Sequence, residues 1–317
     1  MTAPEQRWLA VADDLTGSAD TGSPFAERGY SSCIWLHARP PLISCDFPIF
    51  ETTSRHCAPE EAYRRVRTAI ERHRRIGDCV FKKLDSTWKG NLAAELQALH
   101  DATGAEVILA PAHPRMGRTM CEGRLVIHGE AMSLHLRTLL AEQGLRDESW
   151  LHIYEELKSV PLDGKAYAGS GGLAQHIAET LPVKSAATPK DAPRPVTVIV
   201  GSDQPVTHRQ RSRLLETGWQ GPILDVRHEA LDAPAFVAAC RSLQGALVIC
   251  GGDTAGAVAD HIGAAGIRLR GERIPGLPWG WWIGGRLDNE RLATKSGGFG
   301  GIETIVEAVR LVACQGD

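Results

Sequence analysis

The sequence lacks the features that mark several common functional classes. No run approaches the roughly 18–20 apolar residues of a membrane-spanning helix, and no Lys/Arg block is interleaved with aromatic residues. The formal net charge is -3, whereas nucleic-acid and membrane-surface binding usually need a basic patch. The arginines between positions 64 and 75 are predicted to lie on the solvated face of one helix. We therefore expect neither nucleic acid nor membrane as a partner.

The eight cysteines include no CxxC pair, and the twelve histidines never take ligand spacing with them. A zinc site is therefore not expected, and no metal-binding side-chain cluster is predicted. Cys79 and Cys250 fall inside apolar, strand-like runs, which indicates buried reduced thiols. The polar N-terminus does not resemble a signal peptide. Together these observations predict a cytoplasmic protein.

The chain has 317 residues, of which 43% are hydrophobic and 23% charged, a composition typical of two globular domains. In the first half, strand-like and helical patterns alternate. The predicted strands are Trp8–Ala12, Ser32–Leu36, Phe47–Phe50, Cys79–Lys83 and Val107–Ala110, and the predicted helices span Pro59 to Arg75 and the segment around Leu92, Leu96 and Leu99. Alternation of this kind predicts a mostly parallel sheet covered on both faces.

A proline-rich segment, residues 183–195, is predicted to link two domains, residues 1–185 and residues 195–317. The second half repeats the alternation. Its predicted strands are Val196–Val200 and Ala246–Cys250, and its predicted helices are Val206–Leu215, Pro234–Leu243, Thr254–Ala265 and a closing helix marked by Ile302, Ile305, Val306 and Val309. The predicted fold class is α/β, with two three-layer domains, largely parallel sheets and an active site in the interdomain cleft.

Polar segments follow four predicted strands of the first half, and ligands of parallel α/β sheets bind beyond the carboxyl ends of strands. The segments are Asp13–Asp20, Glu51–Arg55, Asp85–Asn91 and Pro111–Thr119. Arginine can bind a carboxylate through two hydrogen bonds, while Asp and Asn bind hydroxyl groups. This combination favours a small polyhydroxylated anion as ligand.

Each of these residues also has a simpler structural interpretation. Asp14 could cap the following helix, and Ser86 or Thr87 could cap the helix around Leu92. Arg55 could be a surface ion-pair partner of little energetic value. Their shared position at strand ends, rather than any single residue, is the argument for a site.

The second half carries glycine-rich loops instead. Gly201-Ser202-Asp203 follows one strand, Gly251-Gly252-Asp253-Thr254 follows another, and Lys295-Ser296-Gly297-Gly298 precedes the last helix. Backbone N–H groups in such loops can approach an anion closely, and a helix N-terminus favours negative charge. Three such loops indicate a site for nucleotide phosphates, although each alone could be a tight turn.

Neither common phosphate motif is present: the chain has no GxxxxGK[ST] and no dinucleotide GxGxxG fingerprint. Asp253 and Thr254 could simply cap the following helix. Trp279, Trp281 and Trp282 could line an adenine pocket, but a core or interface cluster is the commoner role for such residues.

Four motifs, in this order, resemble the four-carbon acid sugar kinases, long catalogued as a domain of unknown function. They are Ala12-Asp13-Asp14-Leu15-Thr16-Gly17, Lys83-x-Asp85-Ser86-Thr87-x-x-Gly90-Asn91, Gly251-Gly252-Asp253-Thr254 and Lys295-Ser296-Gly297-Gly298-Phe299-Gly300. The resemblance implies an N-terminal sugar-acid domain and a C-terminal ATP domain. It also implies phosphorylation of a hydroxyl on a threonate-, erythronate- or 2-oxo-tetronate-like acid.

The resemblance also implies roles for individual residues. The implied substrate contacts are Asp13, Asp14, Arg55, Lys83, Asp85, Ser86 and Asn91, and the implied ATP contacts are Ser202, Gly251, Gly252, Asp253, Thr254 and Gly298. Asp14 or Asp85 would orient or deprotonate the attacking hydroxyl, and Lys83 or Arg55 would hold the carboxylate. Gly297 would join the phosphate cradle, and Lys295 would neutralise phosphate charge. Mg²⁺ would bridge the phosphates, with Asp253 as its partner through water.

Two departures from the family pattern are visible. The chain is shorter than its relatives, and the shortfall is predicted between Gly129 and Gly169-Ser170-Gly171-Gly172. In addition, Gly201-Ser202-Asp203-Gln204 lacks a second serine that many relatives carry. The shortfall leaves open a non-catalytic sugar-acid binding protein. The glycine-rich half leaves open a lyase or dehydrogenase that uses NAD, although the missing dinucleotide fingerprint counts against it. The oligomeric state is also open, with a homodimer as one possibility.

Overall fold

The computed structural model describes residues 7–185 and 194–313. Contacts divide the chain into two compact units, Met1–Val183 and Lys184–Asp317. Most of the predicted proline-rich linker, residues 186–193, lies outside the described residues. The assignment of one unit to the sugar acid and the other to the nucleotide stays a prediction from sequence.

The first unit contains ten strands and five α-helices within its described residues. In chain order they are β1 (Trp8–Ala12), α1 (Leu15–Glu27), β2 (Ser32–Trp35), β3 (Phe47–Glu51), α2 (Pro59–His73), β4 (Cys79–Lys83), α3 (Leu92–Thr103), β5 (Val107–Ala110), β6 (Arg118–Cys121), β7 (Arg124–Ile127), β8 (Glu130–His135), α4 (Leu136–Glu142), β9 (Leu151–Ile153), β10 (Ala166–Gly169) and α5 (Gly171–Thr180). The strands and helices predicted from sequence are all present, with ends that differ by a few residues.

The main sheet of the first unit is parallel throughout, in the order β2-β3-β1-β4-β10-β5-β9. Every residue of β1, β3 and β4 is buried, because helices cover both faces of the sheet. Helix α1 packs against α5, and α2 packs against α3. From β1 the chain turns towards β2 on one side and later continues at β4 on the other. A switch of this kind creates a crevice at the carboxyl ends of the central strands.

Local sequence explains several element ends. Helix α1 begins after Asp14, whose side chain accepts a hydrogen bond from the Gly17 backbone. Helix α3 ends at Gly104, which adopts the left-handed conformation with φ 64°. The strand predicted to reach Leu36 ends at Trp35 instead, because the chain turns sharply at His37, where φ is 52°.

The region between β5 and β10 contains structure that the sequence did not predict. Strands β6, β7 and β8 form a separate antiparallel sheet, followed by α4 and by β9 at one edge of the main sheet. This region includes the position at which the sequence predicts a shortfall relative to the family. It supplies Arg118 at the start of β6.

The second unit contains six strands and four α-helices within its described residues. In chain order they are β11 (Val196–Val200), α6 (Pro205–Glu216), β12 (Ile223–Asp225), α7 (Pro234–Ser242), β13 (Ala246–Cys250), α8 (Gly252–Ile262), β14 (Gly266–Glu272), β15 (Pro278–Ile283), β16 (Arg291–Lys295) and α9 (Thr304–Ala313). Helix α8 ends three residues before the predicted Ala265, because Gly263 adopts the left-handed conformation with φ 73°. Ile302, predicted in the closing helix, precedes α9 and is exposed.

The sheet of the second unit is mixed. Strands β12, β11, β13 and β16 are parallel, whereas β15 and β14 continue the sheet antiparallel. The tryptophan cluster considered for an adenine pocket lies on β15, where Trp281 and Trp282 are buried. The core position of these two side chains supports the structural interpretation of the cluster. None of the described helices has the length and apolar character needed to cross a membrane.

A buried ion pair lies beneath the carboxyl edge of the first sheet. The Lys82 ammonium is 2.8 Å from Glu95 Oε2, and both side chains are almost completely inaccessible to solvent. Lys82 also donates to the Lys83 carbonyl at 2.6 Å, and Glu95 Oε1 accepts from the Ser54 hydroxyl at 2.6 Å. Because removal of one partner leaves the other charge buried, the pair acts as a unit in the stability of this domain.

We predict that Lys82→Met lowers the free energy of unfolding of the first unit by about 3–5 kcal/mol, because Glu95 loses its counter-charge. The double variant Lys82→Met/Glu95→Leu should recover most of this loss. Urea unfolding of the full chain, followed by its tryptophan fluorescence, measures both. Arg7→Met, which breaks the exposed pair with Asp78, is the control and should change little. A double variant as unstable as the single one would contradict the prediction.

Candidate functional site

The carboxyl ends of the central strands meet at one edge of the first sheet. In register, Ala12 of β1 pairs with Glu51 of β3, and Gly169 of β10 pairs with both Lys83 of β4 and Ala110 of β5. Because all these strands are parallel, the polar segments after them project from the same edge. The prediction that the four strand-end segments lie together is confirmed by this register.

Arg55 is the centre of the polar cluster at this edge. Its Nε and Nη2 donate to the two carboxylate oxygens of Asp13 at 2.8 and 3.0 Å, and its Nη1 donates to Asp14 Oδ2 at 2.5 Å. Asp85 Oδ2 lies 3.8 Å from Nη2. The Arg55 side chain is only 17% exposed. The interpretation of Arg55 as a surface ion-pair partner is therefore wrong, since one guanidinium joins carboxylates from the ends of two strands.

The two adjacent aspartates have opposite pKa shifts. Burial opposes ionisation of Asp13, yet the charges of Lys82 and Arg55 and the hydrogen bonds from Arg55 lower its pKa. Burial and the neighbouring charge of Asp13 raise the pKa of Asp14, against the effects of Arg55 and Lys83. Two carboxylates in contact cannot both ionise freely, so the charge is held more firmly on Asp13.

Asp14 is also the capping residue of α1, as one interpretation of the sequence suggested. Its Oδ1 accepts from Gly17 N at 2.7 Å, and its Oδ2 accepts from the Thr16 hydroxyl at 2.7 Å in addition to Arg55. Both oxygens are therefore engaged within the protein. This leaves Asp14 little capacity to accept a further hydrogen bond from a ligand.

Asp85 differs from Asp14 in having an available oxygen. Its Oδ1 accepts from the backbone and the hydroxyl of Thr87, whereas Oδ2 accepts no hydrogen bond from any residue that the structure describes. Burial opposes ionisation, but the bond from Thr87 and the charges of Arg55 and Lys83 lower the pKa of Asp85. Asp85 thus presents an ionised, partly exposed carboxylate oxygen at the strand edge.

Lys83 belongs to a second group of charges that the sequence analysis did not identify. Its Nζ lies 3.3 Å from Asp20 Oδ2 and donates to the Leu84 carbonyl at 3.1 Å. His113 Nε2 is 3.3 Å from the other Asp20 oxygen. Despite burial, Lys83 and His113 hold the pKa of Asp20 well below its usual range. Asp20 and His113 lie in two of the strand-end segments named from sequence, and this position could have identified them as site residues.

Asn91 and Ser86 contact neighbouring loops. The Asn91 amide donates to the Ser54 and Cys57 carbonyls at 3.1 and 3.0 Å, and therefore ties the loop after β3 to the start of α3. The Ser86 hydroxyl accepts from Arg118 Nη1. Asn91, not Ser86 or Thr87, occupies the capping position of α3, although its side chain makes no capping bond. The capping interpretation of Ser86 and Thr87 is therefore wrong.

The glycine loops of the second unit also meet at one sheet edge. Gly201 N donates to the Cys250 carbonyl and Gly251 N to the Lys295 carbonyl, each at 2.9 Å. A side chain at Gly201 would begin 1.8 Å from the Thr254 hydroxyl, and one at Gly297 would begin 2.1 Å from the Ser202 hydroxyl. Only glycine permits these close approaches. By contrast, a side chain at Gly298 would meet nothing within 4 Å.

Lys295 is the last residue of β16, and its ammonium reaches into the last glycine loop. Its Nζ donates to the carbonyls of Ser296 and Gly297 at 3.0 Å, to Phe299 O at 3.3 Å and to the Thr207 hydroxyl at 3.2 Å. Burial lowers the pKa of Lys295. Because its ammonium protons are directed to these acceptors, the geometry supports a role in shaping the loop.

Thr207 and Gln210 of α6 complete the support of this loop and were missed from sequence. The Thr207 hydroxyl donates to Gly297 O at 2.8 Å, and the Gln210 amide donates to Phe299 O at 3.0 Å and Gly301 O at 2.8 Å. Both side chains are buried polar groups three residues apart on one helix face. Two polar residues at this spacing on the buried face of a helix are unusual, and this pattern could have identified them from sequence.

Asp253 lies exposed in the first turn of α8, and the helix is preceded by Gly251 without a side-chain cap. The capping interpretation of Asp253 and Thr254 is therefore wrong. Within residues 7–185 and 194–313, no group of three or more His, Cys, Asp or Glu side chains could hold a metal ion. An exposed carboxylate beside glycine loops still suits Mg²⁺, which commonly binds one or two carboxylates together with substrate phosphates and water.

Comparisons with known proteins agree with this division of chemistry. A sugar-binding N-terminal domain family matches residues 8–150, and a nucleotide-binding C-terminal domain family matches residues 233–305. The chain is 28% identical to a D-threonate kinase of Cupriavidus necator, over 92% of this chain and 95% of the relative. It is 25% identical to a D-threonate kinase of Salmonella typhimurium, over 96% and 97%. A D-erythronate kinase of Heliobacterium modesticaldum is 37% identical over 38% of this chain and 29% of the relative.

The alignment with the Cupriavidus kinase spans 395 positions, more than the 317 residues of this chain, so the relative contains segments that this chain lacks. The fold is shared with a solved structure from Salmonella typhimurium LT2, with a TM-score of 0.77 and 18% identity over 98% of this chain and all of the other. It is also shared with Haemophilus influenzae protein HI1011, with a TM-score of 0.70 and 19% identity over 95% and 98%. By its domains and its relatives, the chain belongs to the four-carbon acid sugar kinase family.

Proposed function

We propose that this chain transfers the γ-phosphoryl group of ATP to a hydroxyl of a four-carbon sugar acid, and that D-threonate is the first substrate to test. The observation that carries the proposal is the Arg55 cluster, which gathers Asp13, Asp14 and Asp85 at one sheet edge of the sugar-binding unit. The full-length relatives named D-threonate kinase support this choice of substrate.

In the first unit, Asp85 orients the attacking hydroxyl through Oδ2. This oxygen is partly exposed, and the lowered pKa keeps the carboxylate ionised as an acceptor. Phosphoryl transfer passes through a loose transition state, in which orientation of the nucleophile matters more than early proton removal. Arg55 and Asp14 then fix the arrangement of the edge, and Asp13 and Asn91 hold the neighbouring loops.

The negative charge at this sheet edge favours neutralisation by a bound cation. Asp13, Asp14, Asp20 and Asp85 face Arg55 and Lys83, so that carboxylates outnumber cations before an acidic substrate binds. Lys83 and Arg118, which contacts Ser86, supply positive charge for the substrate carboxylate. Mg²⁺ bound with the ATP phosphates would supply the remaining charge neutralisation.

In the second unit, the backbones of Gly251, Gly252, Gly297 and Gly298 cradle the phosphates, and Ser202 and Thr254 line the cradle. Asp253 would hold Mg²⁺ through water. Lys295 positions the loop from within, because its ammonium is bonded to loop carbonyls, instead of contacting the β- and γ-phosphates directly. The glycine loops and the nucleotide-binding domain match support this assignment.

We further propose a cytoplasmic enzyme. The cysteines that the structure describes form no disulfide, and Cys33, Cys79, Cys240 and Cys250 are buried, which suits a reducing compartment. A homodimer stays a prediction from sequence.

Release of ADP from ATP and Mg²⁺ in the presence of sugar acids tests the function. We expect turnover with D-threonate or a close four-carbon analogue, and none with the corresponding uncharged tetritols, because their lost carboxylate removes the partner of Lys83 and Arg118. A coupled ADP assay across D- and L-threonate, D- and L-erythronate and 2-oxo-tetronate measures it. Calorimetric binding of an acid without ADP release would instead support a non-catalytic binding protein.

The role of Asp85 is tested against that of Asp14. We expect Asp85→Asn to lower kcat by about 10²–10⁴-fold. Asp14→Asn should cost much less, because asparagine still caps α1. The lowered pKa of Asp85 also predicts that wild-type kcat/KM keeps its value as pH falls towards 5, since the carboxylate stays ionised. An acid limb in the pH profile that disappears in Asp14→Asn would assign the acceptor role to Asp14, whose pKa is raised.

The nucleotide loop is tested at Gly298. Alanine at this position meets no protein atom within 4 Å, so we expect unchanged thermal stability but about a tenfold higher KM for ATP, equal to about 1.4 kcal/mol. Gly256→Ala in α8, where a side chain also meets nothing within 4 Å, is the matched control and should leave KM unchanged. Equal KM values for ATP in wild type and Gly298→Ala would exclude this loop from phosphate contact.

A further inference from the structure

A pocket that does not include Arg55 lies in the first unit between α2 and the segments that follow β2 and β3. Its volume is about 310 Å³, and its polar lining comes from His37, Thr52, Arg64, Arg65, Thr68 and Arg72. Four of these residues occupy one side of α2, where the sequence predicts an ordinary solvated face. The pocket is large enough for a small organic anion.

The lining carries an excess of positive charge. Arg64 and Arg65 share a single carboxylate, Glu61, with nitrogen–oxygen distances of 2.6 and 2.7 Å. These two arginines lower the pKa of Glu61 to about 2, so it stays ionised and neutralises only one of them. Arg72 is exposed and makes no ion pair within the part of the chain that the structure describes. The three arginines and Glu61 therefore carry a net positive charge of two around one cavity, and the remaining rim carboxylate, Glu51, has its pKa raised by burial.

The backbone at the rim of the pocket adopts an uncommon conformation. His37, Ala38 and Thr53 have φ values of 52°, 49° and 50°, in the left-handed region that β-branched residues such as Thr53 rarely enter. Buried Glu51 holds this geometry, because its carboxylate accepts from His37 N at 3.2 Å and from Thr53 N at 2.6 Å. Strain of this kind persists where the surroundings fix it, and it commonly marks binding sites.

We propose that this pocket is an anion site for a small phosphate-bearing ligand, either a phosphate monoester or inorganic phosphate. Arginine forks and threonine hydroxyls are the donors that suit phosphate oxygens. The net positive charge of two matches a phosphate dianion, whereas a neutral sugar would leave it unpaired. The shared chemistry of both candidate ligands is the dianionic phosphate group.

The same pocket is connected to the Arg55 cluster through Arg65. Its Nη1 donates to the carbonyls of Thr52 and Thr53 at 3.3 and 2.9 Å. The next residue, Ser54, donates its backbone N–H to the Asp13 carbonyl at 3.0 Å, and Arg55 follows directly. An anion that binds the Arg65 guanidinium therefore competes with these two carbonyls and changes the position of the segment that holds Arg55. This consequence, unlike the anion site itself, rests on the proposed function.

Calorimetric titration of the full chain with inorganic phosphate and with glycerol 3-phosphate tests the site without any turnover. We expect binding of at least one probe, and about tenfold weaker binding in Arg72→Gln, because one charge-assisted hydrogen bond is lost. Arg75→Gln removes an exposed arginine from just beyond α2, outside the lining, and should bind as wild type does. Equal affinities in wild type and Arg72→Gln, with matching thermal stability, would overturn the proposal.

The ratio of the two affinities separates the two ligand sources. Tighter binding of glycerol 3-phosphate assigns the site to phosphate monoesters, and equal or tighter binding of inorganic phosphate assigns it to the free ion. Binding should persist when D-threonate and a non-hydrolysable ATP analogue are present at saturation. Displacement by either one would place the probe in the catalytic site and overturn a separate anion site.

The connection to Arg55 is tested by kinetics. We expect a saturating probe to shift the KM for D-threonate at least twofold in the wild type, and to have no such effect in Arg72→Gln. If the chain has no kinase activity, the proposed function fails while the calorimetric result still decides the anion site. Binding with an unchanged KM would keep the site and overturn the connection to Arg55.

Discussion

The arrangement of the first unit depends on one constraint: several carboxylates lie together at a sheet edge and repel one another. Arg55 resolves this by bonding both oxygens of Asp13 and one of Asp14, with Asp85 close by. The planar guanidinium fork bonds both oxygens of one carboxylate and still has donors for a second carboxylate, a geometry that the compact ammonium of lysine does not match. The pKa shifts follow from this arrangement. The pKa values of Asp13 and Asp85 are lowered, so both carboxylates stay ionised, whereas the pKa of Asp14 is raised.

The second unit meets a related problem with the opposite chemistry. In the proposed function, a loop there presents backbone N–H groups to an anion while its own carbonyls are bonded within the protein. Lys295 donates to three of those carbonyls, those of Ser296, Gly297 and Phe299. From α6, Thr207 and Gln210 donate to two of the same carbonyls, and Gln210 also donates to that of Gly301. A buried ammonium satisfied by carbonyls keeps the loop fixed before the ligand arrives, so that less conformational entropy is lost on binding. The two units thus prepare their edges in advance, one with an arginine and the other with a lysine.

The sequence predicted the parts that depend on local pattern. Apolar periodicity gave the buried strands, and the position of polar residues after them gave Asp13, Arg55 and Asp85. The sequence could not predict the contacts that depend on which strands become neighbours in the sheet. Asp20 and His113 meet Lys83 only because β10 and β5 follow β4 in the sheet. The antiparallel β15 was not predicted because its tryptophans form a short aromatic run without strand-like alternation. Strand β14 was missed although Ile267, Arg268, Leu269 and Arg270 alternate as a strand does.

The segments missing relative to the Cupriavidus kinase affect two parts of the first unit differently: the Arg55 cluster and the region beside β5 and β10. Every residue of the Arg55 cluster follows β1, β3 or β4, all within the first 91 residues, and these strands form the centre of the sheet. If the shortfall lies between Gly129 and Gly169, as the sequence predicts, it falls beside β5 and β10, near His113, Arg118 and Gly171. In the proposed function, the charges assigned to orienting the hydroxyl are then retained, while the neighbouring part of the proposed acid site is altered. Divergence from the relatives should therefore concern which acid is accepted, because the groups that we propose for phosphoryl transfer lie on the part of the fold that is kept.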